Sequence, residues 1–356
     1  MFHKQATSLA KGGYRVTLIA KADRNLVNNG VEIQPVRYSN RLQRFLLQPW
    51  FLYKVLSTRA KLVHLHNPDT LPIGFILKLC GKRVIYDAHE NFPLLIPTRH
   101  WVPTIFRKPL AMMVGLLERG ASLTFDNILV TQSAQLKTHG RRAVLIGNPP
   151  ITKSRLVEEA VRLAKEIERG QELRLVYAGS ISEDRGLTLM LDVLDRLNRR
   201  FAARLWLAGP EAEPGALKRA RSQSGWRHVD YLGHLSQRDA FSYIASADIG
   251  LVLFLNRGDN KLINPNKLFE YQCFGTPFVA SDFPDWRGYM MDVEAGVFVD
   301  PNSANEIVEA LAELRNNRAK LQVLAENGRG FVREQYNWEK ESEKLLAVYK
   351  HLAEAT

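Results

Sequence analysis

Short apolar, β-branched runs of about five residues recur along the whole chain, each followed by a longer segment of helical period. That alternation constrains the fold more than any other feature, because parallel strands need crossover connections and helices supply them. The runs form two series. The first covers residues 15–20, 31–36, 62–66, 83–87, 127–131 and 143–146; the second covers 173–178, 204–208, 229–232, 249–255, 277–280 and 296–299. Two doubly wound α/β domains with parallel sheets are expected, and 356 residues suffice for both. The seam is placed at Gly147-Asn148-Pro149-Pro150, where two prolines interrupt regular structure.

The charge supports the same seam. Residues 1–148 hold 21 Lys and Arg against 7 Asp and Glu, whereas the remainder holds 28 against 30. A basic first half attracts anionic lipid headgroups, diphosphate-bearing acceptors or nucleic acid. No nucleic-acid reading motif accompanies it, so no nucleic-acid partner is expected. Residues 40–61 join Arg41, Arg44, Lys54, Arg59 and Lys61 to Phe45, Leu46, Trp50, Phe51 and Leu52, a mixture suited to an interfacial helix or loop, with Pro49 breaking any single long helix. The same apolar residues also fit a core. The longest apolar runs, 109–117 and 247–255, fall short of the roughly 20 residues that cross a bilayer. No secretory leader is read in Met1-Phe2-His3-Lys4-Gln5, and Cys80 and Cys273 lack metal-ligand spacing. A cytoplasmic protein able to dock on the inner face of the membrane is the expectation.

The first elements depart from the pattern. Phe2, Ala6, Leu9 and Ala10 make a helical apolar face ended by Gly12-Gly13, and a strand follows. A doubly wound domain normally opens on a central strand and a glycine-rich turn. The chain is therefore expected to start one strand late, with a gap in the first sheet.

Three constellations could carry chemistry. Tyr177-Ala178-Gly179-Ser180 leads from the first strand of the second series through Arg185-Gly186 to an apolar helix. Glycine lets a ligand approach the backbone, and an arginine at a helix amino terminus suits a phosphate. An ordinary loop with an exposed arginine is the alternative. Asn264-Pro265-Asn266-Lys267-Leu268-Phe269-Glu270 reads as a helix start with Asn264 as N-cap and Gly275 as terminator. Lys267 and Glu270 share a face there, offering a cation to phosphate and a carboxylate to ribose hydroxyls, or else a simple i, i+3 ion pair. Asp87-Ala88-His89-Glu90 ends a first-half strand at the edge where open α/β sheets bind ligands, and His66 ends another. Either imidazole fits a sugar hydroxyl or a structural cap. Gly-x-Gly-x-x-Gly and Gly-Lys-Ser/Thr turns are missing, which argues against nicotinamide dehydrogenases and Walker-type NTPases.

At these residues the chain resembles the retaining family-4 glycosyltransferases of GT-B fold, especially those building bacterial surface polysaccharides. The specific parts are Asp87-Ala-His-Glu90, Tyr177-Ala-Gly179 with Arg185-Gly186, and Lys267-Leu-Phe-Glu-Tyr271 with Gly275-Thr-Pro277. The resemblance implies two Rossmann-like domains facing a cleft. Residues 1–148 would bind the acceptor, completed by a carboxy-terminal helix at about 335–356, and 149–334 would bind a nucleotide diphospho-sugar. It further implies Arg185 and Lys267 on the diphosphate, Glu270 on the ribose, His89 on the transferred sugar and Gly233-His234-Leu235 on the base. Gly179, Ser180, Asn266 and Leu268 complete the donor contacts. No cofactor or metal is expected; donor and a glycan or polyprenyl-linked acceptor are the partners.

Two departures accompany the resemblance. Leu262 stands where many members carry the first carboxylate of a Glu-x7-Glu pair ending at Glu270, and the first glycine-rich turn is missing. A defective or scaffolding homologue is thus the alternative, and a nucleotide-sugar 2-epimerase a more distant one.

Overall fold

A computed structural model describes residues 2–98, 102–258 and 260–354. The chain divides into two compact units, residues 1–148 with 338–356 and residues 149–337.

The second unit is built on one parallel sheet. Strands β8 (Leu173–Ala178), β9 (Ala203–Ala208), β10 (Val229–Gly233), β11 (Ile249–Val252), β12 (Phe278–Ser281) and β13 (Gly296–Val299) follow the order β10-β9-β8-β11-β12-β13. The first strand of the series lies in the middle and the order reverses beside it, as in a doubly wound fold. Helices cover the sheet, so β8, β11 and β12 are buried along their whole length and read as continuous apolar runs. Strand β11 is shorter than the expected 249–255. Its ladder stops at Val252, and Leu255 instead donates its N–H to the Asp184 carbonyl at 3.0 Å.

The first unit holds two separate sheets. Strands β1 (Val16–Lys21) and β3 (Val31–Val36) pair in parallel, with β2 (Leu26–Asn28) antiparallel on β3. Strands β4 (Leu62–His66), β5 (Arg83–Ala88), β6 (Asn127–Val130) and β7 (Ala143–Leu145) form a parallel sheet in sequence order. Among the described residues no strand joins β1 to β4, the position at which the sequence pattern lacks one. Strand β2 was not foreseen: it is three residues long, exposed throughout, and carries no alternation.

The opening helical segment is a π-helical turn, Phe2–Ala6, running into an α-helix, Thr7–Lys11. Ala6 and Leu9 are buried; the Phe2 side chain lies outside the described residues. The last helix, Trp338–Glu354, fastens onto this region. Trp338 Nε1 donates to Ser8 Oγ at 2.9 Å, the Glu341 carboxylate accepts from the Gly147 N–H at 2.7 Å, and Tyr14 meets Tyr349 edge-on with ring centroids 5.4 Å apart.

Candidate functional site

In the second unit the turn after β8 and the helix Asn266–Phe274 bring their candidates together. Lys267 Nζ donates to the Ala178 carbonyl and lies 5.3 Å from the centre of the Tyr177 ring. A Cβ at position 179 would overlap the Lys267 ammonium, so only glycine leaves room for that approach. Tyr177 in turn donates its hydroxyl to the Ser180 carbonyl at 2.8 Å, which fixes the turn and leaves Ser180 exposed at its tip.

Arg185 closes a 3₁₀ turn, Glu183–Arg185. Gly186 follows at φ 80° and starts the helix Leu187–Asn198; a Cβ there would strike the Leu253 carbonyl oxygen. The Arg185 guanidinium lies 4.1 Å over the Phe254 ring, held by an aromatic face while its N–H donors stay available. It acts electrostatically on Lys267. Burial chiefly, and Arg185 beside it, pull the Lys267 ammonium below the ordinary lysine range, while Glu270 works in the opposite direction.

Lys267 and Glu270 form no ion pair, so the surface-pair alternative does not hold. Glu270 is half-buried on the Lys267 side of the helix, which leaves the carboxylate available to another partner. Asn266 Oδ1 is buried without a hydrogen-bond partner. Leu268 is a correction to the expected donor set. Its side chain is fully buried in the core and its amide donates to the Pro265 carbonyl at 2.9 Å. Asn264 is a second correction, for it does not cap the helix. Its Nδ2 is engaged by the Tyr336 hydroxyl, and the helix begins two residues later behind Pro265. Gly275 ends it at φ 70°, as the pattern indicated. His234 is exposed and Leu235 half-buried against the core, in the loop between β10 and the helix Gln237–Ser246. Leu262 is half-buried and brings no carboxylate.

In the first unit His89 follows β5 directly. Its Nδ1 lies 3.4 Å from the Asp87 carbonyl and its ring meets Phe92 edge-on at 5.6 Å. It does not cap the next helix: Asn91 does, accepting from the Leu94 N–H at 3.4 Å. Behind it, Asp87 accepts from Gln5 Nε2 at 2.9 Å, and His66 Nδ1 stands 3.2 Å from the same carboxylate oxygen. Burial would raise this carboxyl, but His66, His64 and Gln5 outweigh it and hold it at about 2. No metal-ligand spacing is visible along the sequence; strand pairing nonetheless sets His66 opposite Asp87.

Helices Arg41–Leu46 and Gln48–Ser57 replace the single helix that Pro49 forbids. Leu42, Phe45, Leu46 and Tyr53 are exposed, whereas Phe51 and Leu52 pack on the core and Arg44 is paired with Asp69 at 2.9 Å. Three of the ten residues in the expected interfacial set, Arg44, Phe51 and Leu52, are therefore engaged in the fold; the Arg41 side chain lies outside the described residues. No helix among the described residues is long and apolar enough to cross a membrane.

Residues 172–317 match the family model of glycosyl transferases, group 1. The chain is 23% identical to the phosphatidyl-myo-inositol mannosyltransferase of Mycobacterium leprae over 90% of its own length and 82% of that protein. It is also 23% identical to the Mycolicibacterium smegmatis enzyme of the same name over 98% and 89%. Among solved structures, sucrose-phosphate synthase from Thermosynechococcus elongatus superposes with a TM-score of 0.78 at 17% identity, covering 99% of this chain and 92% of that one. Anabaena HepE in complex with UDP and glucose gives 0.71 at 13%, covering 97% and 94%. Motifs, near full-length relatives and paired Rossmann-like sheets together show a glycosyltransferase of GT-B fold, similar to the family-4 enzymes.

Proposed function

We propose that the second unit binds a nucleotide diphospho-sugar and that the enzyme transfers the sugar, with retention, to a glycan or lipid-linked acceptor bound by the first unit. One observation carries this reading. Lys267, packed against Gly179, feels the Arg185 guanidinium as well as the Glu270 carboxylate, and neither cation is held in an ion pair. Two such cations in a partly desolvated place are costly alone and favourable around an anion. A diphosphate supplies that anion, and its arrival restores the ordinary charge preference of Lys267. The amino end of the helix Asn266–Phe274 adds positive potential. Glu270 is assigned to ribose hydroxyls, Asn266 and Ser180 to polar groups of the donor, His234 and Leu235 to the base, and His89 to the transferred sugar.

In the reaction the acceptor hydroxyl oxygen bonds to the anomeric carbon as the bond to the diphosphate oxygen breaks, and the acceptor's proton leaves with the diphosphate. Arg185 and Lys267 stabilise the negative charge that develops on the leaving group, the largest contribution such a site makes. A role in cell-surface polysaccharide synthesis, on the cytoplasmic face of the membrane, fits the basic first unit and its exposed Phe45 and Leu46. The relatives named for phosphatidyl-myo-inositol support a lipid acceptor.

Calorimetric titration with UDP and with GDP tests the donor site, one of the two binding with micromolar affinity; binding of neither refutes it. The divided first sheet favours a second reading, a homologue that binds donor without turning it over. Hydrolysis of the matching nucleotide sugar by purified protein excludes that reading, and binding without hydrolysis or transfer supports it.

A further inference from the structure

His64 and His66 lie two residues apart on β4 and therefore on one face of the sheet, with rings stacked at 4.3 Å between centroids. Asp87, opposite His66 on β5, presents its carboxylate on the same side, 2% exposed. The donor atoms of the three residues all lie within 4.8 Å of one another. The Tyr349 hydroxyl sits 2.8 Å from His64 Nδ1. With Nδ1–H donating to that oxygen, Nε2 keeps its lone pair, the arrangement by which metal-bound histidines are oriented.

A second, independent observation points to a ligand. His64 Nε2 and Gln5 Oε1 are buried without hydrogen-bond partners beside Asp87, whose carboxylate His66 Nδ1 faces at 3.2 Å. Buried polar atoms are rarely left unpaired, and a group of them around one carboxylate marks a place for an ion or water. Two imidazole nitrogens and a carboxylate are the donors preferred by zinc-like divalent ions, not by magnesium or calcium. Tetrahedral bonds of about 2.0–2.2 Å require donor separations of about 3.4 Å, and the three donor atoms already lie within 4.8 Å of one another. We propose that His64, His66 and Asp87 bind one zinc-like divalent cation, tying β4 and β5 to the first helical turn through Gln5 and to the last helix through Tyr349. Three protein donors leave the ion one further coordination position.

The test is titration of the full, chelator-treated chain with Zn²⁺ by calorimetry, in a Cys80→Ser background because that thiol is exposed and would compete. One equivalent should bind with a Kd of about 1 μM or tighter, raising the thermal midpoint, and Co²⁺ should give the visible bands of a tetrahedral site. Asp87→Asn and His66→Ala should each weaken binding at least tenfold. Tyr349→Phe keeps all three donors and the packing, so it should weaken binding by about tenfold to a hundredfold without unfolding the chain. A Kd above about 1 mM in the Cys80→Ser chain, equal affinity for Mg²⁺, or an affinity untouched by Tyr349→Phe and Asp87→Asn would each overturn the assignment.

Discussion

The two units run the same βα alternation to different ends. In the second, β8 joins β9 and β10 on one side to β11, β12 and β13 on the other, and one core spans the sheet. In the first, β1-β3-β2 and β4-β5-β6-β7 remain separate sheets, and the core cluster gathers around the latter alone. Exposed apolar surface follows the same division. Of the large apolar residues exposed among the described residues, 16 belong to the first unit and three, Val161, Met291 and Val323, to the second. A central strand thus does two jobs: it unites the core, and the turn after it carries a glycine, here Gly179, against which Lys267 packs. The second unit has both; the first has no counterpart of either among its described residues, and its basic composition with many exposed apolar residues suits a surface partner.

If the second unit alone is the donor site, Lys267→Ala should have the largest effect. Turnover should fall by about a hundredfold to a thousandfold, the usual cost of removing one preorganised charge donor, with the thermal midpoint little changed. Initial rates with saturating donor measure it. Gly179→Ala should produce a comparable loss by displacing the ammonium.

The next effect falls on the first unit. Glu118 is buried, accepts from the Tyr86 hydroxyl at 3.0 Å, and is raised by burial to about 7 from a usual 4.5. The folded state therefore favours the protonated acid. Its contribution to stability is complete below pH 4.5 and is lost as pH rises through about 7. That loss should amount to about 2–3 kcal/mol. Urea midpoints at pH 5 and pH 8 should differ accordingly in the wild type and converge in Glu118→Gln, which keeps an acceptor for Tyr86. A wild-type midpoint flat over that range would show that Glu118 stays charged.

Smaller effects follow. Arg185→Ala should weaken nucleoside diphosphate binding at least tenfold, about 1.4 kcal/mol, read by calorimetry; unchanged affinity would remove it from the site. Replacing Phe45 and Leu46 together by Ser should lower retention on anionic vesicles severalfold, with wild-type retention lost at high salt. Equal retention on neutral and anionic vesicles would break the link between charge and docking.

The alternation of residue types was enough to foretell every strand but β2, because buried parallel strands leave long apolar runs whereas an exposed three-residue strand leaves none. Glycine at 179, arginine at 185 and lysine at 267 were legible as candidates through local turn and helix-end chemistry, and the structure brings them to one turn. What escaped depended on partners distant in sequence. Asn264 looked like a cap until Tyr336 claimed its amide, and Leu268 looked like a contact until helix phase turned it into the core. The grouping of His64, His66 and Asp87 rests on β4–β5 register and on Tyr349, neither visible in a local window.

The return of the last helix to the first unit sets a timetable for synthesis. Residues 149–337 are translated between the two parts of that unit. At about 5–20 residues per second, the ribosome needs roughly 10–40 s to cover them. Through that interval Ser8, His64 and the Gly147 amide wait for Trp338, Tyr349 and Glu341, while the second unit, continuous in sequence, can finish folding. The amino-terminal half, first to emerge, is therefore the last to close, and it stays open longest during synthesis.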